Sequence, residues 1–272
     1  MRKLLIVFCL MMFAIANAAT DWDSEAALKR VNTIGSKLLK ANNVNYDIEF
    51  KVSNEEDVNA YANLDKEIYV YKGLLQFVDN DEELAGVIGH EMGHIINGHC
   101  AKQGVLNTGI AVVASMVTKN ETVNAIGQHL AQSKLSRSDE FEADITGIDL
   151  MVKAGYNPLA MPSLLNKISG DAYIDILQTH PSGEKRILNA YNYIEYNYAS
   201  KLKNGYNTDS YKKAIEMINP AIEKRKNSQR LTKKFNKQQA KLLKKKEKRA
   251  KKMQGTSSVW DGYFTTLQYL AG

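Results

Sequence analysis

Two histidines four residues apart, with a glutamate directly after the first, restrict this chain more than any other stretch: His90-Glu91-Met92-Gly93-His94. On a helix, residues i and i+4 share one face, so the two imidazoles would stand side by side. Two neutral imidazoles so placed can each give one ring nitrogen to a single zinc ion, and a glutamate beside them can take a proton from water as general base. The segment should therefore be helical, and it should lie against an element that supplies a further ligand. Metal-assisted hydrolysis is the chemistry implied. The bland alternative is a helix that carries surface histidines.

The surrounding residues favour the first reading. The acidic cluster Asp79 to Glu83 supplies a capping side chain and negative charge at the positive end of the expected helix. At about 100° per residue, Leu84, Val87, Ile88 and Ile95 form an apolar stripe, with His90 and His94 on its edge and Glu91 inside it. A carboxylate buried without a partner is costly, and water at a metal site gives it one. Gly86, Gly89 and Gly93 share a neighbouring face, although each costs about 1 kcal/mol against alanine. Such a face admits another helix at close range. His99 follows His94 by five residues, roughly 140° around the helix, and is excluded as a ligand on that spacing.

The third ligand is expected from Ser136 to Asp144, at the start of a helix that Gly155 and Asn157-Pro158 terminate. Phe141, Ile145, Ile148 and Val152 make its apolar stripe, which Glu140 and Asp144 flank together, whereas Glu142 and Asp149 point the other way. Helical phase thus selects Glu140 as the metal ligand, completing a His2Glu set with a fourth position open to water. Asp144, one turn on, is placed to orient a ligating histidine through its other ring nitrogen.

Along the rest of the chain, Arg2-Lys3, the apolar run Leu4 to Ile15 and Ala16-Asn17-Ala18 read as a secretory signal, with the mature chain beginning near Ala19. The apolar run is shorter than the roughly 20 residues of a spanning helix. With Cys9 in that signal, only Cys100 remains, so no internal disulfide is expected and a buried, inert thiol is. A helix is expected over Asp23 to Ala41, then strands at Tyr46 to Val52 and Glu67 to Tyr71, with Val58 to Ala62 extended or looped between them. A strand beside a metal cleft can bind an extended peptide by backbone pairing. Gly104 to Val117 is apolar but too short to span a bilayer, and suits a flap, a helix on a membrane surface or an ordinary buried helix.

Charge divides the chain. The net charge is +6, yet Lys224 to Lys252 holds 15 Lys/Arg against the single Glu247, a local +14 that leaves −8 for the remainder. A boundary is expected near residue 200. Beyond it, Tyr211, Ile215, Ile218 and Ile222 suggest a short amphipathic element broken at Pro220, followed by a lysine-rich arm that is solvated or disordered for want of an apolar face. Such an arm suits anionic lipid or an acidic partner, and export argues against nucleic acid. Trp260, Tyr263, Phe264, Leu267 and Leu270 recur at helical spacing as a docking segment.

Four segments in order resemble the zinc metallopeptidases of peptidase family M48, the group of the HtpX-like proteases, the CAAX prenyl protease and the BepA-like periplasmic proteases. They are Val58 to Ala62 with Ile68 to Leu75, Leu84 to His94, Ser136 to Asp144, and Thr179-His180-Pro181-Ser182 with Arg186-Ile187. The resemblance covers roughly residues 44 to 190. By position it implies His90, His94 and Glu140 as zinc ligands, Glu91 as catalytic base and Asp144 as a supporting acid. It also implies an active-site place for His180, with Arg186 stabilising either the helix or a substrate carbonyl.

The expected fold is α+β, a predominantly helical zincin-type (gluzincin) domain with a small sheet beside its cleft. The expected organisation is a signal peptide over 1–18, a metallopeptidase domain over 19–200 and a basic extension over 201–272. The expected function is that of an exported, periplasmic or secreted endopeptidase with one zinc ion, acting on misfolded or misassembled envelope polypeptides. Its basic tail would touch a membrane or an envelope protein. The competing reading is a latent or chaperone-like binding protein with an occluded zinc site.

Overall fold

A computed structural model describes residues 22–44, 47–100, 102, 136–170, 180 and 183–253, with side chains to residue 248. The expected signal segment, the apolar stretch from Gly104 to Val117 and the aromatic terminal segment lie outside these residues.

The first helix, α1 (Ser24–Asn42), starts where the Asp23 carboxylate accepts from the Ala26 N–H at 2.9 Å and ends at Asn43 in the left-handed region, φ 51°. Its buried face is Val31, Ile34 and Leu38, and at Gly35 a Cβ would sit 2.4 Å from the Phe50 ring, so that glycine is the seat of the aromatic. Three strands follow: β1 (Glu49–Ser53), β2 (Ala60–Ala62) and β3 (Glu67–Tyr71), in the order β1-β3-β2. β1 runs parallel to β3 and β2 antiparallel to it, with Phe50 opposite Ile68 and Tyr61 opposite Tyr69. The segment read as extended or looped contains the edge strand β2. Alternation holds in the sheet, where Phe50, Ile68 and Val70 are buried, and extends to Ile48 just before β1.

A short helix, α2 (Lys72–Phe77), leads to the histidine helix α3 (Asp81–Ile96). The cap of α3 is Asn80, whose side chain accepts from the Glu83 N–H at 3.0 Å, while Asp81, Glu82 and Glu83 fill the first turn. Helix α4 (Arg137–Lys153) is capped by Ser136, which accepts from the Asp139 N–H at 3.1 Å. The two helices approach through bare backbone. A Cβ on Gly89 would lie 3.2 Å from Gly147 Cα, and one on Gly93 2.7 Å from the Ala143 carbonyl oxygen. Gly86, expected on the same close face, has ordinary space instead, 3.5 Å from Leu164.

The apolar face of α4 is turned from the one expected. Phe141 and Val152 are half-buried, while Ala143, Gly147 and Met151 join Ile148 against α3. Glu140 and Asp144 consequently lie within the buried face and not at its flank. Helices α5 (Ala160–Ser169) and α6 (Glu184–Asn197) close the core, and the short α7 (Ala199–Leu202) follows.

The hydrophobic core continues beyond residue 200, because α8 (Asp209–Lys226) buries Ala214, Ile218 and Ile222 against α5. Pro220 does not break this helix: it lies on the exposed side, where the carbonyl it leaves unbonded can turn to water. The lysine-rich segment departs most from expectation. Instead of a solvated arm it is one helix, α9 (Gln229–Met253), packed on α8 and α6. Leu231, Phe235, Gln239, Leu242 and Lys246 recur every three or four residues as a half-buried stripe, with lysines on the outer face. Phe235 meets the Tyr196 ring edge-on at 5.8 Å and carries the Arg225 guanidinium 4.1 Å above its face. Lys246 pairs with Asp149 of α4.

Candidate metal centre and cleft

One helical turn separates His90 from His94, and their Nε2 atoms converge to 2.9 Å. The backbone contact at Gly89 and Gly93 brings the first turn of α4 against that face. Glu140 thus presents Oε1 3.4 Å from His94 Nε2 and Oε2 3.5 Å from His90 Nε2. His180, outside any helix, adds Nδ1 3.2 Å from Glu140 Oε1 and 3.3 Å from His90 Nε2. All four residues are buried, and their donor atoms lie within 4.8 Å of one another. Imidazole nitrogens with a carboxylate, crowded this closely in a buried spot, suit a single zinc ion.

Around this cluster the charges are paired. His90 turns Nδ1 to Asp144 Oδ1 at 2.9 Å. Arg186, from the first turn of α6, donates through Nε and Nη2 to both oxygens of Asp144, at 2.9 and 2.7 Å, and through Nη1 to Glu140 Oε2 at 2.7 Å. Burial alone would keep Asp144 protonated, but Arg186 and His90 hold its pKa below the usual value. Glu140 is held far down in the same way against its burial, by His180 and His90. For His94 burial dominates, with the His90 charge beside it, and its pKa falls well below that of a free imidazole. Of the two roles open to Arg186, the contacts here are structural ones to Glu140 and Asp144.

Glu91 differs from the other carboxylates. It is 1 % exposed, and neither carboxylate oxygen makes a hydrogen bond of good geometry. His180 Nε2 stands 3.7 Å from Oε1, and the Ala62 backbone of β2 faces the group. Burial pushes its pKa up. Glu91 and His90 also border a small pocket with Val87, Met161, Leu164 and Arg186, whose volume of about 20 Å³ holds roughly one water.

His99 stands outside the four-donor cluster, yet it is buried against the back of His94, with the two Nδ1 atoms 3.0 Å apart. Spacing alone gave no sign of that contact. Glu142 and Asp149 lie away from the cluster as expected, but they are covered by other elements and not by solvent. Glu142 meets His99 and Lys245 at 3.4 and 3.1 Å, and Asp149 accepts from Tyr193 and Tyr198 at 2.8 and 2.7 Å. Cys100 is part-buried, with Sγ 3.6 Å from the Ala62 carbonyl oxygen, and burial pushes its thiol up to about 12, which suits an inert residue.

A helix pair that presents His-Glu-x-x-His against a glutamate, beside a small mixed sheet, defines a zincin-type metallopeptidase domain of the gluzincin kind. The sequence profile of Peptidase family M48 matches residues 25–194, and the chain belongs to that zinc-dependent family. Mitochondrial metalloendopeptidase OMA1 of Arabidopsis thaliana is 38% identical over 144 residues, which cover 51% of this chain and 30% of that protein. Beta-barrel assembly-enhancing protease of Yersinia pestis is 29% identical over 185 residues, 60% of this chain and 38% of that protein. Metalloprotease LoiP of Escherichia coli is 31% identical over 190 residues, 62% of this chain and 74% of that protein. The chain thus spans about a third of the length of the first two relatives.

Proposed function

We propose that the chain is a zinc-dependent metalloendopeptidase, in which His90, His94 and Glu140 hold the metal and Glu91 is the general base. The observation that carries this reading is Glu91, a buried carboxylate without a well-made hydrogen bond, beside a cluster of nitrogen and carboxylate donors. Zinc, when bound, polarises the scissile carbonyl and lowers the pKa of water. Glu91 takes the proton from the attacking water and delivers it to the departing amine, and the apolar walls around it keep other water away. Asp144 fixes His90 through Nδ1, Arg186 keeps Asp144 and Glu140 in register, and His180 borders the reacting atoms from the far side. An extended substrate would pair with the edge strand β2, whose Ala62 backbone faces Glu91.

The wider context belongs to the same proposal. Residues 1–18 act as a signal peptide, 19–200 as the metallopeptidase domain and 201–272 as a basic extension whose first helix, α8, completes that domain's core; the protein is exported to a periplasmic or extracellular space. Among the described residues no helix is long and apolar enough to cross a membrane. Relatives named as beta-barrel assembly-enhancing proteases make misassembled envelope proteins the proposed substrate class. The lysines on the outer face of α9 are offered as the contact to an anionic membrane or an envelope partner.

One observation favours a second reading, a latent site: His180 Nδ1 lies 3.2 Å from Glu140 and so crowds the position a water would need. Casein cleavage by wild type and Glu91→Gln, with zinc content measured on both, decides. Loss of cleavage by a factor of about 10² to 10⁴ in the variant is expected, with zinc retained. A wild type that carries one zinc yet cuts no faster than Glu91→Gln rules the active enzyme out, and a gain of cleavage in His180→Ala then supports the latent form.

A further inference from the structure

Both histidines of α3 turn Nε2 toward the donor cluster, and the nitrogens they turn away meet different groups. His90 Nδ1 has the Asp144 carboxylate at 2.9 Å. His94 Nδ1 has another imidazole, His99 Nδ1, at 3.0 Å. Two ring nitrogens at that distance form a hydrogen bond only if one carries a proton and the other does not. The order of protons follows from the metal. A neutral His94 that leaves Nε2 bare for zinc carries its proton on Nδ1, so His99 Nδ1 is the acceptor. The proton of a neutral His99 then resides on Nε2, which faces Glu142 Oε2 at 3.4 Å and Asp139 Oδ1 at 3.7 Å.

Everything needed to hold that order is present. His99 is 3 % exposed and cannot turn to water, and the side chains of Asp139 and Glu142 are 14% and 13% exposed. Each carboxylate is met on its outer side by a lysine: Lys102 approaches Asp139 at 3.4 Å and Lys245 approaches Glu142 at 3.1 Å. Asn97, at the end of α3, donates to the Glu142 carbonyl and to Thr146, which ties the two helix ends together beside the chain of rings.

We infer that His99 is a positioning residue for the metal site: through the sequence Glu142–His99–His94 it fixes the tautomer and ring orientation in which His94 binds zinc. The inference rests on the proposed role of His94 as a ligand. His99 itself touches neither metal nor substrate. A carboxylate backing a zinc-bound imidazole is a common device, and here one ligand has it directly while the other has it through an intervening ring.

Zinc affinity of the full chain, measured by competition with a chromophoric chelator, tests this without reference to catalysis. His99→Phe should bind one zinc about 10- to 100-fold more weakly, the range typical for loss of such a partner. His99→Gln should keep most of the affinity, because an amide can accept from His94 and donate to Glu142. Circular dichroism in EDTA checks that the variants fold; if His99→Phe does not, Glu142→Gln combined with Asp139→Asn should weaken zinc several-fold on an intact fold. Unchanged affinity in His99→Phe, or equal losses in the Phe and Gln variants, overturns the inference. So does a second equivalent of zinc in the wild type that disappears with His99, since the three side chains would then form a metal site of their own. A wild type that binds no zinc at all sinks the ligand reading instead, a different outcome from these.

Discussion

Helices α4 and α9, which meet through the pairs Glu142–Lys245 and Asp149–Lys246, manage charge in opposite ways. On its buried face α4 places Glu140 and Asp144 at 0 % exposure, each matched by Arg186 and a histidine. On α9 most charges stay in water, and a sparse row of Leu231, Phe235 and Leu242 makes the contact, with Lys246 alone among the described lysines of the helix turning its head inward, to Asp149 and the Tyr193 hydroxyl. The first helix carries, within an apolar buried face, groups that fail badly if one partner is removed. The second is held chiefly by apolar contact, which gives way by degrees. A buried ion pair is thus a specification of geometry more than a source of stability, and its value lies in what it positions.

Four substitutions sharpen the contrast, each read by urea unfolding in the presence of a chelator. Arg186→Met leaves Glu140 and Asp144 buried without their cation and should cost about 3–5 kcal/mol. Added zinc should recover part of that loss, because the metal compensates Glu140; a loss that is the same with and without zinc would separate Arg186 from the metal cluster. Gly93→Ala forces a methyl against the Ala143 backbone at 2.7 Å and should cost about 1–3 kcal/mol, with zinc affinity falling as the helices part. Phe235→Ala should cost about 1–2 kcal/mol, below the figure for a fully buried ring, and should leave zinc affinity unchanged. Lys245→Ala should cost no more than roughly 0.5 kcal/mol and become indistinguishable from wild type at high salt. A larger effect there would show that α9 is bound by its ion pairs after all.

The contrast also separates what was readable in the sequence from what was not. Helical phase alone brought His90, His94, Glu140 and Asp144 to one side of two helices, because i and i+4 spacing survives translation into structure almost unchanged. Phase cannot tell how far a helix is rotated about its own axis, and for that reason a stripe drawn through Phe141 and Val152 does not reveal Gly147 as the point of contact. His180 and Arg186 rest on resemblance, since neither a lone histidine before a proline nor a cation early in a helix says in its local pattern where it packs. The misreading of α9 has a different origin. Its apolar residues do recur at helical spacing, but they are few among the lysines, and average composition hides a stripe that only neighbouring helices make worthwhile. Arg225, Asn192 and Glu195, which tie α8 to α6, belong to the same class of long-range contact.

The glycine contact between α3 and α4 has a consequence for the donor cluster. With Gly89 against Gly147 and Gly93 against Ala143, a side chain at either glycine of α3 could not fit without moving one helix from the other. Glu140 stands on α4 and His90 and His94 on α3, so any such movement would draw the carboxylate away from the two imidazoles. Four small residues that offer no ligand atom thus decide how closely donors from two helices meet.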